Sequence, residues 1–346
     1  MQLIDEYATP AELTGYARAA LRDYQVNQFT LAQFLPNATV NDLSYRFTQG
    51  GGDLVEAAMY RDYDAESDIG TREGGVRVHG ELPPISRKMP LGEYDRIKMR
   101  NLDRQSEELR SALELDSVKL ARGIEARVEL ARGQALFAAK VVIDENGVKG
   151  IVDFGRKAGN SVTASATWDS PDAKVLNDFL AWRKYYNTLN GFLPGRMILS
   201  LDIMTYLQMN AQIRQAAFPG APANSLPPLL NEDQVTAVFR ANRLPEPVVY
   251  DGQVSVAGKA TRVTPANQLL LLPPPVNKVG ETLWGVPVEA NDPRYGLAAE
   301  GAGAGVAVGA YHSEDPQTLW TRATAIALPV IGNPDLTMNA TVLPAS

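Results

Sequence analysis

The chain contains no cysteine, only two histidines and no long hydrophobic run. The absence of cysteine excludes disulfides, thiolate zinc sites and a cysteine nucleophile, and two histidines leave little material for a histidine-based metal site. His79 lies in a glycine-edged loop and His312 in a late turn, so a serine triad also has poor material. The longest purely aliphatic run covers residues 269–272, which predicts no membrane-spanning segment.

The composition is that of an ordinary folded protein, with 346 residues of which 45% are hydrophobic and 21% are charged. A chain of this length can bury a substantial core and divide into two or so compact units. The 33 basic and 40 acidic residues give a net charge of -7. Because an acidic surface gains little from releasing the counterions of a phosphate backbone, the charge argues against a dedicated nucleic-acid reader.

The longest periodic stretch covers residues 93–137 and predicts one amphipathic helix, named here the spine helix. Its apolar and small residues form a stripe made of Leu102, Ser106, Leu109, Leu113, Ser117, Leu120, Ile124, Val128, Ala131 and Ala135. The opposite side is predicted to carry the charged residues Arg100, Arg104, Glu107, Glu108, Arg110, Glu114, Lys119, Arg122, Glu125 and Glu129. The pairs Arg104/Glu108 and Arg110/Glu114 have the spacing of helical ion pairs. An unbroken helix of this length spans roughly 65 Å.

The spine helix is predicted to lie across a sheet and not in a coiled coil. Heptad steps from Leu102 and Leu109 reach Asp116 and Gly123, so the sequence holds no continuous apolar seam. A glycine inside a helix costs about 1 kcal/mol relative to alanine. Gly123 and Gly133 are therefore the places where the last turns are predicted to bend or break.

Two segments before the spine helix contain apolar residues but too few to form a core. Residues 1–44 begin with a helix signal at Thr9 and Pro10 and continue as an aromatic, extended stretch. Residues 45–92 resemble a long two-stranded excursion with a glycine-rich, charged tip. We expect both segments to rest on other protein surfaces, with a neighbouring subunit as one candidate.

The rest of the chain alternates between strands and helices, which predicts the α+β class. Residues 138–155 carry a hairpin signal around Asn146 and Gly147. Residues 168–283 indicate one α/β unit, and residues 284–346 indicate strands that return to a sheet beside the spine helix and the hairpin. The helices of the α/β unit are predicted at residues 171–190, 201–215 and 232–242.

Two motifs suggest ligands, and both have a simpler interpretation. The spacing of a calcium-binding loop is matched by Asp62, Asp64, Glu66, Asp68 and Glu73. Ser67 stands where that loop needs glycine, so an acidic loop tip that meets arginines of an adjacent subunit is favoured. Glycines within residues 301–309 lack the GxGxxG spacing of a dinucleotide site and favour a flexible loop. No cofactor and no metal are predicted.

Four local sequences and the order of the parts resemble one known family. The sequences are FTLAQFLPNATVNDLSYRF, ELPPISRKMPLGEYD, DAKVLNDFLAWRKYYNTLNGFLPGRMILSLDIMTYL and VVYDGQV. The chain resembles the lambda-like major capsid protein E family of tailed phages, which has the Hong Kong 97 type fold. That resemblance implies an N-terminal arm at 1–44, an extended loop at 45–92, a peripheral domain with the spine helix at 93–167, an axial domain at 168–283, and return strands of the peripheral domain at 284–346.

The resemblance implies a structural role and no enzymatic activity. Copies of the chain would form hexamers and pentamers of an icosahedral head that encloses double-stranded DNA, located in the virion after assembly in the host cytoplasm. A separate scaffolding protein, a portal and, as a further option, a decoration protein would be partners, with weak non-specific contact to DNA. The candidate subunit-interface residues are Phe29, Phe34, Leu35, Tyr60, Arg61, Asp62, Asp64, Glu66, Asp68, Arg72, Arg77 and Arg87.

Two alternatives stay open at this point. An encapsulin-like compartment shares the fold and differs in its cargo, which is an enzyme and not DNA. A carboxylate-dependent α/β enzyme would need a cleft where acidic side chains converge, and the spacing of the forty acidic residues singles out no such pair.

Overall fold

The computed structural model describes residues 2–49, 76–99, 105–145, 147–220, 228–297, 303–315 and 317–344. The helices are α1 Pro10–Asn27, α2 Glu93–Met99, α3 Gln105–Ala138, α4 Val175–Asn190, α5 Leu201–Met209, α6 Ala211–Ala217 and α7 Glu232–Ala241. The strands are β1 Gln2–Ile4, β2 Asn37–Thr39, β3 Ser44–Gln49, β4 Val76–Glu81, β5 Pro84–Leu91, β6 Lys140–Glu145, β7 Val148–Asp153, β8 Ser161–Thr163, β9 Arg196–Leu199, β10 Pro247–Val249, β11 Gln253–Val256, β12 Lys259–Arg262, β13 Gln268–Leu272, β14 Gly280–Trp284, β15 Ala307–Ser313, β16 Thr318–Ile331 and β17 Met338–Thr341.

The chain divides into two compact units. The first unit comprises residues 1–46, 79–132 and 281–330, and the second comprises residues 47–78, 133–280 and 331–346. Within each unit, segments that are distant in sequence therefore pack together.

Helix α1 begins where the sequence predicts it. The Thr9 hydroxyl accepts a hydrogen bond from the Glu12 N–H at 3.2 Å, and the Glu12 carboxylate accepts one from the Thr9 N–H at 2.9 Å. This capping box, with Pro10 at the first helical position, satisfies N–H groups that lack helical partners. The helix runs to Asn27 and a 3-10 turn follows at Thr30–Gln33, so the extended stretch predicted after α1 is wrong.

The first unit is built on a six-stranded sheet. Its strand order is β1-β15-β16-β14-β2, and β5 also pairs with β16. Strands β15 and β5 are both antiparallel to β16, whereas β2 is parallel to β14. Helix α1 and the first-unit part of α3 pack on this sheet through a core that includes Leu13, Leu21, Leu113, Leu120, Ile124, Val128, Trp284, Val308 and Leu319.

Helices α2 and α3 both lie within the predicted spine helix, with residues 100–104 between them outside the described residues. Helix α3 has 34 residues, which corresponds to about 51 Å. From Leu109 onward, the stripe members of α3 are all buried: Leu109, Leu113, Ser117, Leu120, Ile124, Val128, Ala131 and Ala135. A helix lying on a sheet is therefore confirmed. The helix continues through Gly123 and Gly133, so the predicted break at these glycines is wrong, whereas the predicted bend stays a prediction.

The second unit contains a five-stranded sheet with the order β10-β9-β13-β17-β8. Helices α4 to α7 pack on it around an aromatic cluster in which the ring centroids of Trp168 and Phe179 are 5.2 Å apart and those of Phe179 and Phe239 are 5.0 Å apart. Strand β17 pairs with β13, so not every return strand joins the sheet of the first unit as expected. Met338 and Ala340 explain this difference, because both side chains are buried in the second core.

Arg156 caps the C-terminal end of α3 within the second unit. Its Nη1 donates to the Phe137 carbonyl at 2.8 Å, its Nη2 donates to the Leu136 carbonyl, and its Nε donates to Thr337 Oγ1 at 2.8 Å. Burial lowers the pKa of Arg156 to about 10, and the Asp335 carboxylate partly opposes that shift. A cation here satisfies carbonyls that lack helical partners and matches the negative end of the helix dipole.

The two glycines of α3 have different surroundings. A Cβ atom on Gly133 would clash with the carbonyl oxygen of Val263 and would lie 2.9 Å from its Cγ1. A Cβ atom on Gly123 would lie 3.2 Å from Nη1 of Arg87, which is the movable end of a long side chain. Close backbone approach therefore requires glycine at position 133 and not at position 123.

We predict that Gly133→Ala lowers the free energy of unfolding by about 1–3 kcal/mol, as overpacking against fixed backbone does. Gly123→Ala is the matched control and is expected to be neutral or to stabilise by up to about 1 kcal/mol, because alanine favours the helix. Thermal and urea unfolding of both variants measures the difference. Equal stability of the two variants would contradict the close approach of Val263.

Candidate assembly site

A buried arginine joins three elements of the first unit. The Nη1 of Arg132 on α3 donates to Glu125 Oε1 at 2.5 Å and to Glu129 Oε2 at 3.0 Å. Its Nε donates to Thr282 Oγ1 on β14 at 2.9 Å, and its Nη2 donates to Asn37 Oδ1 on β2 at 2.9 Å. The side chains of Arg132, Glu125 and Glu129 are all 0% exposed. One guanidinium therefore links the spine helix to the sheet and to the N-terminal segment.

Further hydrogen bonds fasten the N-terminal segment to the same carboxylates. The Leu31 N–H donates to Glu129 Oε1 at 2.9 Å, and Gln25 Nε2 donates to Glu125 Oε1 at 3.0 Å. Asn37 Nδ2 in turn donates to Gln25 Oε1 at 2.9 Å. These contacts define the anchor network, which consists of Gln25, the Leu31 N–H, Asn37, Glu125, Glu129, Arg132 and Thr282.

Sequence reasoning missed the anchor network. The helical pattern predicts Glu125 and Glu129 on the charged side of the spine helix, facing water, and this is wrong because both are fully buried. Positions 125, 129 and 132 share one face of the helix, and the N-terminal segment covers that face. A signal is present in Leu130 and Phe137, which place apolar residues outside the stripe in the last turns of the helix, since apolar residues all round a helix indicate burial on all sides there.

The predicted interface residues of the arm lie in the interior of their own chain. Phe29, Phe34 and Leu35 have 3%, 4% and 0% of their surface exposed. The Leu35 carbonyl accepts a hydrogen bond from Thr282 Oγ1 at 2.9 Å, which places this residue next to the anchor network. These side chains pack the N-terminal segment against its own chain. They are too buried to make the expected contact with a neighbouring copy.

Most of the predicted loop residues cannot be compared with the structure. Tyr60, Arg61, Asp62, Asp64, Glu66, Asp68 and Arg72 lie outside the described residues. The calcium-loop alternative lies in the same segment. The backbone of Arg77 belongs to β4, but its side chain is also outside the described part.

Arg87 is the one predicted cation whose side chain is described. It is exposed on β5 and reaches the spine helix at Gly123. The adjacent Lys88 ammonium lies 4.3 Å from the ring centroid of Trp320, a cation–π contact across the β5–β16 pair. Strand β5 therefore presents two exposed cations, Arg87 and Lys88, on the surface of the first unit.

The titratable residues of the described chain form no cluster that points to chemistry. Among them, no group of three or more acidic or histidine side chains has the arrangement of a metal site. Burial, followed by the nearby Arg96, lowers the pKa of His312, and His79 is exposed. Within the described ranges, no helix combines the length and the apolar character that a bilayer span requires.

Comparisons with known proteins identify a family and a fold. A family model described as phage major capsid protein E matches residues 9–342. No curated protein matches the chain. The chain is similar to the putative capsid protein of a prophage of E. coli CFT073, with 14% identity, a TM-score of 0.63, and coverage of 99% of this chain and 100% of that chain.

Two further solved structures have the same fold. A phage-related protein from Bordetella bronchiseptica RB50 is 14% identical with a TM-score of 0.58, covering 96% of this chain and 98% of that chain. The capsid of a native GTA particle is 11% identical with a TM-score of 0.51, covering 91% of this chain and 90% of that chain. At such identities the likeness concerns the fold alone, which is the α+β fold of Hong Kong 97 type capsid proteins.

We predict that Arg132→Met lowers the free energy of unfolding by about 3–5 kcal/mol, because two buried carboxylates lose their only cation in the anchor network. Amide hydrogen exchange should also increase in residues 25–37, which the network fastens. Arg110→Met on the same helix is the control, since its ion pairs with Glu12 and Glu114 are exposed. Similar effects of both substitutions would contradict the anchoring role.

Proposed function

The chain belongs to the phage major capsid protein E family, and from this membership we propose that its copies form hexamers and pentamers of an icosahedral phage head. The family and the fold make it a structural shell protein of the virion. The proposed head encloses double-stranded DNA. The observation that carries the proposal is the extent of the family match, which covers residues 9–342 and so includes both units.

The parts of the chain receive the following proposed roles. Residues 1–44 are the N-terminal arm. Residues 45–92 are the extended loop, whose last part, β5, returns to the sheet of its own chain and whose tip is proposed to reach over a neighbouring subunit. Residues 93–167 and 284–346 form the peripheral domain, and residues 168–283 form the axial domain near the symmetry axis of the capsomer. The anchor network supports the role of the arm, because it fixes residues 25–37 to the spine helix of the same chain.

The extended loop supplies the proposed contact with the neighbour. Asp62, Asp64, Glu66 and Asp68 give its tip a strongly acidic character, and Arg87 with Lys88 gives its base a basic one. The acidic loop tip of one copy and the basic loop base of the next carry opposite charges. Such charges would attract the two copies and fix their relative position in the lattice. The remaining candidate interface residues of the loop are Tyr60, Arg61, Arg72 and Arg77.

The proposed partners besides further copies of the chain are a separate scaffolding protein, a portal and a decoration protein. Assembly in the host cytoplasm is part of the same proposal. Contact with the packaged DNA is proposed to be weak and non-specific, since a chain with a net charge of -7 attracts phosphate poorly.

We predict that the purified chain assembles into closed shells, alone or together with its scaffolding protein. Electron microscopy and sedimentation of the expressed protein measure this outcome. Nuclease-protected DNA inside particles isolated from phage-producing cells would support a phage head, whereas an enclosed enzyme would support a compartment of encapsulin type. A chain that stays monomeric under all assembly conditions would contradict the proposal.

Charge reversal at the loop base is expected to impair assembly. Arg87→Glu would place a carboxylate opposite the acidic loop tip of the neighbour, and like charges in an interface cost several kcal/mol, so the shell yield should fall about tenfold or more. Lys259→Glu is the matched control because Lys259 is an exposed lysine on another hairpin, where no effect is expected. Equal shell yields for both variants would contradict the role of Arg87.

A further inference from the structure

The hairpin formed by β6 and β7 has one face that points away from the interior of the second unit. Its cross-strand pairs place Lys140 beside Asp153, Val142 beside Ile151, and Asp144 beside Lys149. Because alternate residues of a strand share a face, these six side chains lie on the same side of the hairpin. They are named here the hairpin face.

The centre of the hairpin face is apolar although it is exposed. Val142 and Ile151 have 39% and 70% of their surface exposed. On the other side of the hairpin, Val141 is 1% exposed and Val152 is half-buried, so that side already packs against the chain. A hairpin with one buried face usually carries polar residues on the other face. The hairpin face departs from that pattern at its middle pair.

The middle pair is also closely spaced. The Val142 N–H donates to Gln134 Oε1 at 3.3 Å, so it points away from β7. This is the arrangement of a non-hydrogen-bonded antiparallel pair, in which facing side chains approach most closely. Val142 and Ile151 therefore form one continuous apolar patch and not two separate exposed residues.

The charges around this patch are arranged so that the face is complementary to itself. Asp144 and Lys149 form an exposed ion pair at 3.6 Å at one end, and Lys140 and Asp153 lie at the other end. If a two-fold axis parallel to the strands relates the two copies, Lys140 of one copy faces Asp153 of the other, and Asp144 of one copy faces Lys149 of the other. If the two-fold axis runs across the strands, Lys140 of one copy faces Asp144 of the other, and Lys149 of one copy faces Asp153 of the other. In both cases apolar groups meet at the centre.

We propose that the hairpin face is a two-fold contact between two copies of this chain. Self-complementarity is the property that an isologous interface requires, and a closed icosahedral shell contains two-fold axes at which such a contact can be made. The inference rests on the shell assembly proposed above and names one of its contacts. Six side chains cover much less than the roughly 800 Å² per partner of a stable pair, so this contact acts together with others in the shell.

Complementary charge variants test the contact. A positive variant carries Asp144→Lys and Asp153→Asn, and a negative variant carries Lys140→Asn and Lys149→Asp. In either orientation of the axis, each variant alone sets like charges against each other, whereas a mixture of the two sets unlike charges together. We expect each variant alone to give about tenfold fewer shells than the unaltered chain, and an equimolar mixture to recover them.

Recovery by mixing also excludes misfolding of the variants as the cause of the loss. If both variants assemble alone as well as the unaltered chain, the two-fold contact is overturned while shell formation stands. If neither variant assembles and the mixture does not recover, although both variants unfold at the same temperature as the unaltered chain, the two-fold contact is overturned.

Cross-linking provides a direct second measurement, because the chain contains no cysteine of its own. Ile151→Cys on the hairpin face should be joined between copies by a short bismaleimide, giving a band of twice the chain mass from shells or from concentrated protein. Val148→Cys is the control, since Val148 is 48% exposed on the opposite side of the same hairpin. Equal cross-linking of the two variants, or none at Ile151→Cys, would overturn the proposal even if the shells form.

Discussion

The first unit depends on the burial of one arginine between two glutamates. Transfer of a charged group out of water is so unfavourable that a buried ion must be paired and hydrogen-bonded. Arg132 meets this requirement only when Glu125 and Glu129 are supplied by its own helix, Asn37 by the N-terminal segment and Thr282 by the sheet. The anchor network therefore ties the position of the arm to the position of the spine helix. It also selects one arrangement of these elements, because a partial network leaves a charge without a partner.

The anchor network buries some side chains within the chain and leaves others exposed, where another copy could contact them. Phe29 and Phe34 of the N-terminal segment are buried within their own chain, so they offer no surface to another copy. Exposed cations remain at Arg87 and Lys88, and an exposed apolar pair remains on the hairpin face. A shell protein must keep a stable fold before assembly and still offer surfaces that are incomplete without a neighbour. A buried anchor network together with exposed proposed contacts satisfies both needs.

Local signals predicted the ends of several elements well. The capping box at Thr9 starts α1, and α4 ends at Asn190, before Gly191, whose φ of 77° is the left-handed conformation that glycine adopts without strain. Local signals failed where tertiary contacts compete with them. The helix predicted from position 171 begins at Val175, and the helix predicted over residues 201–215 is divided at Asn210. The Asn210 side chain caps α6 and donates to the Ala173 carbonyl at 2.9 Å, a contact that no local pattern indicates.

The sequence by itself determined the α+β class, the amphipathic stripe of the spine helix, the hairpin after it and the resemblance to a capsid family, because each depends on periodicity or on residue order. Only the tertiary structure decided which charges are buried. Glu125 accepts a hydrogen bond from Gln25, 100 positions away, and such a partner leaves no trace in local periodicity. The same holds for the hairpin face, whose complementarity to itself depends on the register that pairs Val142 with Ile151. A shift of that register by one residue would turn these side chains to the other face and destroy the pattern.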